Sequence, residues 1–282
     1  MPVNPAKADK VIAEFVKTDQ ELDALEIPDD NITDMARMFT TSVFGSFDYV
    51  EVNPKHGPGS VATGERPSEK QVFKRIYNDI EKVYPFTEYF QYSLLHVCDA
   101  YHTYETLEQL EYGTAKVVLV PKDSRGPRII SCEPLEYQWI QQGLGTKIQR
   151  HLERHRLTAG HVNFTDQTVN RDLALRSSVT QKWVTLDMKE ASDRVSFKLV
   201  SRLFDDCPGL LSALTATRSR ATKLPDGTVL QLNKFAPMGS NLCFPVESFV
   251  FYCLAVSAIM TLTHLPRRKA RKMVYVYGDD LI

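Results

Sequence analysis

The sequence has little of several features that mark whole classes of protein. Cysteine is scarce: Cys98, Cys132, Cys207, Cys243 and Cys253 are the five among 282 residues, an odd number with no pair at CxxC spacing. That argues against a disulfide framework or a cysteine-built zinc site and fits small apolar residues in a reducing compartment. Neither sign of charge dominates: 34 Lys and Arg stand against 35 Asp and Glu, a formal net charge of -1. Any polyanion must then be met by local clusters of basic side chains. Residues 1–10 are polar, so no secretory leader is expected there. The longest uncharged run, residues 248–264, is shorter than the roughly 20 residues that span a bilayer. Pro245 and Glu247 precede it, so it reads as a buried helix and no membrane partner is expected. Internal repeats and low-complexity blocks are lacking too.

What is present fits a globular protein with a sizeable core: 43% of residues are hydrophobic and 24% charged. Residues 1–34 are acidic and mixed, with a break at Pro28-Asp29-Asp30, and read as a solvated N-terminal region. Residues 53–68 are loop-like by their Gly and Pro content. Residues 69–83 carry Val72, Phe73, Ile76 and Ile80 at helical spacing. Residues 116–121 and 129–131 read as strands of a hairpin around Asp123-Ser124-Arg125-Gly126-Pro127. Residues 135–157 read as a basic helix, and 182–187 as a short strand. Ser196 is a candidate cap for a helix through Phe204, stopped by Pro208-Gly209. Leu224-Pro225-Asp226-Gly227 is a turn, and residues 245–263 a long helix. A strand at 273–277, a tight turn at Gly278-Asp279 and a return strand from Asp280 complete the pattern.

Four elements carry chemistry. In Tyr277-Gly278-Asp279-Asp280, two adjacent carboxylates on a hairpin tip repel each other unless a cation neutralises them, and hard oxygen ligands suit Mg²⁺. The plain alternative is an exposed acidic turn. Asp187, at the C-terminal end of its strand, is the second element. Nucleotidyl transfer on two metal ions needs carboxylates converging from separate strands around ions roughly 3.5–4 Å apart, which Asp187, Asp279 and Asp280 could supply. Alone, Asp187 would more often be a capping or loop aspartate. Third, Pro237-Met238-Gly239-Ser240-Asn241 is a glycine-containing loop able to approach a sugar or a backbone closely. It reads equally well as a helix N-terminus. Fourth, Lys122, Arg125 and Arg128 on one hairpin suit a triphosphate entry site, or a solvated hairpin surface. Basic clusters at 147–156, 218–223 and 267–272 could track phosphates, though each alone reads more simply as a solvated face.

The order of these elements resembles motifs F, A, B and C of RNA-dependent RNA polymerases. In particular it resembles the replicase subunits of the small single-stranded RNA bacteriophages. The likeness covers residues 116–282. It rests on Val120-Pro121-Lys122 with Arg128, Glu133-Pro134, Asp166-Gln167-Thr168 with Asn170, and Ala191-Ser192-Asp193. It continues through Leu224-Pro225-Asp226-Gly227, Met238-Gly239-Ser240, Glu247 and Tyr277-Gly278-Asp279-Asp280. Asn241 departs from it, standing where many members have a second glycine.

The resemblance implies an α+β right-hand polymerase fold. Residues 1–115 would be an N-terminal region with outer fingers, 116–180 fingers with the hairpin, and 181–282 a palm with an insertion at about 207–235. It implies Asp187 and Asp279 as principal ligands of two Mg²⁺ ions, with Asp280 assisting and Mn²⁺ as a substitute ion. Asp193, Ser240 and Asn241, on the loop of Gly239, would read the ribose 2′-hydroxyl. Lys122, Arg125 and Arg128 would hold the triphosphate. Template and product RNA and ribonucleoside triphosphates are the implied partners. Host elongation factors Tu and Ts and ribosomal protein S1 are implied as further subunits, in the cytoplasm of the bacterial host.

The sequence stops as the return strand begins. A domain seldom ends in mid-hairpin, so a fragment or abbreviated form is expected, without motifs D and E or a thumb and with little processive activity alone. Two rivals stand beside this reading. A reverse transcriptase also pairs aspartates on a hairpin but usually sets a bulky aromatic near the sugar, where Asp193 stands here; preference for deoxynucleotides would favour it. A non-catalytic RNA-binding remnant would bind RNA without incorporating nucleotides.

Overall fold

The computed structural model describes residues 4–91, 104–123 and 126–282. Helices and strands are mixed in an α+β arrangement, with three separate sheets among the described residues. Strands β1 (Arg75–Tyr77) and β2 (Glu108–Leu110) pair in parallel. Strands β3 (Thr114–Asp123), β4 (Gly126–Cys132), β6 (Ala221–Lys223) and β7 (Val229–Gln231) form a second sheet in the order β4-β3-β6-β7. Strands β5 (Leu186–Asp187), β8 (Val276–Tyr277) and β9 (Asp280–Leu281) form the third, antiparallel, in the order β5-β9-β8.

The helix Cys243–Thr263 is long and apolar enough to cross a membrane. Here it packs as a core helix, with Phe249, Val250, Tyr252, Cys253 and Val256 fully buried. Against it lies the helix Asn31–Phe44, capped where Asp30 accepts from the Thr33 amide at 2.8 Å. Phe44 meets Phe249 edge-on at 4.9 Å and Phe39 meets Tyr252 at 5.8 Å. Such aromatic contacts add about 1 kcal/mol each beyond the area they bury. The helix Leu135–Arg154 carries Leu135, Ile140, Leu144 and Leu152 into the same core.

Three sequence expectations are corrected. The N-terminal region is not a solvated segment. Residues Pro5–Asp23 form a 19-residue helix capped by Asn4, and it buries Ala8, Phe15, Thr18, Asp19 and Leu22. Phe15 closes a second, small core with Val117, Leu224 and Leu232 on the four-stranded sheet. Its acidic residues masked an apolar stripe that only the sheet reveals.

Residues 69–83 are not one helix. Arg75 draws the chain into strand β1, where its guanidinium lies 2.8 Å from Glu65 and 3.8 Å from the buried Glu136. Phe73, Ile76 and Ile80 are buried, but Val72 is 58% exposed, so the helical spacing is only partly used. Tertiary pairing overrides local propensity here. Finally, Pro208 opens a helix rather than only ending one: Pro208–Thr217 follows directly, with proline in the first turn where its missing N–H costs nothing.

The other elements lie close to their sequence readings. Ser196 caps Phe197–Phe204 by accepting from the Leu199 amide at 3.0 Å. Leu224-Pro225-Asp226-Gly227 connects β6 to β7, with Gly227 at φ +93°. The strand at 182–187 contracts to Leu186–Asp187.

Candidate active site

The acidic hairpin is held from three sides. Gly278 adopts φ +64°, and a Cβ there would stand 2.2 Å from a ring carbon of Phe244. Only glycine meets both conditions without strain. Phe244 in turn packs edge-on against Tyr277 at 5.7 Å. The Asn170 side-chain amide donates to the Asp280 carbonyl at 2.9 Å. Beneath, Val276 is fully buried and joined to residues 161–163 by two backbone hydrogen bonds of 2.8 and 3.0 Å.

This frame sets Asp187 directly opposite Asp280 in the β5–β9 register. Residues so paired project from the same face with Cβ atoms about 5 Å apart, and like charges there repel. Burial, then the charges of Asp279 and Asp187, push the Asp280 carboxyl above the ordinary carboxylate range. Asp187 and Asp280 border a cavity of about 610 Å³ shared with Gln167, Asn170 and Arg171. Asp279 turns to a neighbouring cavity of about 690 Å³. Among the described residues, no three His, Cys, Asp or Glu side chains gather as a ready metal cage. The donor set still fits magnesium. That ion takes oxygen ligands and is usually held by one or two carboxylates, with substrate phosphates and water completing the shell.

The larger cavity brings together residues far apart in sequence. Lys122 and Arg128 reach it from the β3–β4 hairpin, Asp193 from the short helix Ala191–Arg194 after β5, and Gly239 and Ser240 from the loop before the core helix. Arg125 lies outside the described residues. Gly239, at φ +123°, does make a close approach, but to protein: a Cβ there would sit 2.2 Å from the Ser131 carbonyl oxygen. The Ser131 amide donates to the Met238 carbonyl at 2.8 Å, locking loop to hairpin. Ser240 donates to the Gln141 side chain at 3.0 Å, and Asn241 to the Gln141 backbone at 3.2 Å. Asn241 is thus spent on the helix Leu135–Arg154 and does not line the cavity.

Two residues with no role assigned from sequence matter here. Glu247 lines the cavity; burial, then the Asp279 charge, raise its carboxyl to about 8. Lys234, with no exposed surface, donates to Asp193 at 3.0 Å. Burial pushes the Asp193 carboxyl up while Lys234 opposes that shift. One lysine among many charged residues carries no signal in the sequence.

The basic clusters divide. Arg218 is buried, donating to the carbonyls of Phe235, Leu232 and Lys234 at 2.7–3.1 Å. Arg220 pairs with Asp79 at 2.8 Å and Lys147 with Asp48 at 3.3 Å. His151 stacks on Phe44 at 5.3 Å. These side chains hold the fold together. In the third cluster, Arg268, Lys269 and Lys272 are exposed.

A family model described as RNA replicase, beta-chain, matches residues 87–282. The chain belongs to the RNA replicase beta-chain family. It is 36% identical over 167 residues to the RNA-directed RNA polymerase subunit beta of Qbeta virus (strain MX1), covering 59% of this chain and 26% of that protein. It is 32% identical over 166 residues to the RNA-directed RNA polymerase beta chain of Escherichia phage MS2, covering 59% and 28%. The corresponding protein of Enterobacteria phage GA is 31% identical over 163 residues, covering 58% and 28%. The chain thus aligns with about a quarter of the length of these replicase relatives. The replicase match spans every element bordering the two cavities except the helix Pro5–Asp23.

Proposed function

We propose that this chain carries the nucleotidyl-transfer site of an RNA-directed RNA polymerase that copies a viral RNA genome from ribonucleoside triphosphates. The observation that supports it most is one cavity bordered by Lys122, Arg128, Asp193, Gly239, Ser240 and Asp279. Lys122 and Arg128 bind the triphosphate as fixed positive charges. Asp193 accepts from the ribose 2′-hydroxyl, beside the Gly239-Ser240 loop. Asp187, Asp279 and Asp280 would hold two Mg²⁺ ions, with Mn²⁺ as a substitute. Those ions would supply charge neutralisation at the attacking and leaving oxygens. A 3′-hydroxyl oxygen gives up its proton to water and forms the new bond to the α-phosphate, the bond from that phosphorus to the oxygen bridging to the β-phosphate breaks, and pyrophosphate leaves.

In this reading the β5–β9–β8 sheet and residues 181–282 form a palm with an insertion at about 207–235. Residues 116–180 form fingers, and 1–115 an outer region. Arg125 joins Lys122 and Arg128, and Asn241 supports the ribose loop from behind. The relatives are named as subunits, and host elongation factors Tu and Ts and ribosomal protein S1 are the candidate companions. The setting would be the bacterial cytoplasm.

The test is template-directed incorporation with Mg²⁺ by the wild-type chain and by Asp279→Asn. Loss of at least about a hundredfold is expected, the scale seen when one transition-state contact is removed. Equal incorporation by both would contradict the reading, and preference for deoxynucleotides would favour a reverse transcriptase.

A further inference from the structure

We propose that the helix Pro5–Asp23 is a positioning element of the nucleotide cavity, fixing Asp193 through the buried Lys234 and so setting the preference for ribose over 2′-deoxyribose. The inference rests on the ribose role proposed for Asp193. It concerns a helix outside the region that matches the replicase family, residues 87–282.

One charge near the cavity has no access to water. Lys234 is 0% exposed. An ammonium so placed is tolerated only when its protons are met by partners, because removing a charge from water is strongly unfavourable. Its Nζ lies 3.0 Å from Asp193 Oδ1, 3.8 Å from Asp19 Oδ1 and 3.5 Å from the centre of the Phe15 ring. Two of these three partners come from the helix Pro5–Asp23. The third borders the cavity. Asp19 is itself buried, and its carboxylate also accepts the backbone amides of Asn233 and Lys234 at 3.0 and 3.1 Å. The helix therefore fixes both the backbone that bears Lys234 and the ammonium at its end.

The same helix runs along residues 189–194, whose short helix Ala191–Arg194 carries Asp193. Thr18 donates to Glu190 at 3.2 Å, Glu14 pairs with Lys189 at 3.0 Å, and Glu21 pairs with Arg194 at 3.1 Å. Glu190 stands at φ +54°, a left-handed conformation that strains a non-glycine residue. The exposed pairs are worth little individually, so the buried Lys234 contact carries the positioning. It commits Asp193 Oδ1 and leaves Oδ2 to accept from a ribose hydroxyl, on a side chain still 24% exposed. Without Lys234, the Asp193 carboxylate keeps its burial but loses its anchor. A fixed acceptor discriminates against a substrate lacking the hydroxyl better than a mobile one does.

The experiment compares incorporation of UTP and 2′-dUTP by the wild-type chain, Lys234→Met and Asp19→Asn, with folding checked by thermal melting. Lys234→Met should lower the ribose-to-deoxyribose ratio at least tenfold, through a higher KM for UTP with the 2′-dUTP rate retained. Asp19→Asn, which keeps an acceptor oxygen, should shift the ratio the same way by less, and it decides the matter if Lys234→Met does not fold. An unchanged ratio in a folded variant would overturn the proposal, as would equal losses for both nucleotides. A wild-type chain that prefers neither sugar would remove the role of Asp193 itself. That result is distinct from a wild-type preference the variants leave intact.

Discussion

The acidic hairpin at Asp279 and the N-terminal helix at Phe15 border the same cavity, yet they handle charge in opposite ways. On the helix, each acidic side chain near the cavity has a partner: Glu14 with Lys189, Asp19 with Lys234, Glu21 with Arg194. On the hairpin, Asp280 faces Asp187 across the register and, among the described residues, makes no ion pair; its carboxyl is held above the ordinary range by burial and by its acidic neighbours. The compensated wall is what stability favours. The uncompensated wall is destabilising by itself and suits a site that a cation completes. The contrast separates a wall braced by ion pairs from one of facing carboxylates without reference to any motif.

Glu133 sharpens that comparison, because it is buried acid of a third kind. It accepts from Ser219, and burial raises its carboxyl from the ordinary 4.5 to about 7. A folded-state value above the unfolded one stabilises fully below about pH 4.5, and the benefit is lost as pH rises through about 7. Unfolding free energy from this group should fall by at most on the order of 3 kcal/mol between those limits. Glu133→Gln should flatten that part of the profile in denaturant titrations at pH 5 and pH 8. The same slope in both proteins would show that Glu133 is ionised in the fold.

A smaller effect probes the hairpin frame. Gly278→Ala meets both the positive φ and the Phe244 ring. It should cost about 2 kcal/mol in the same titrations. A neutral substitution would mean that the turn relaxes freely and does not hold the aspartates in place.

The two walls also differ in how far the sequence discloses them. The hairpin is short-range: Gly278, flanking strands and paired aspartates lie within a few residues, so turn chemistry alone describes it. The capped helix after Ser196 and the β3–β4 hairpin are legible for the same reason. The helix Pro5–Asp23 is not, because its purpose lies in Lys234 and in Val117, Leu224 and Leu232, all distant in sequence. Asn241 shows the same limit: its residue type suggests substrate contact, but Gln141 is what it meets. The family resemblance marked which stretches matter. It could not say which side chains face the cavity and which brace it from behind.

The most direct test of the contrast between the walls is the effect of Mg²⁺ on thermal stability. At magnesium about tenfold above its dissociation constant, the wild-type chain should gain roughly 1.4 kcal/mol, a rise in Tm of about 3 °C. Asp279→Asn should lose most of that gain, while Asp19→Asn, on the compensated wall, should keep it. A magnesium shift of the same size in wild type and Asp279→Asn would contradict the account.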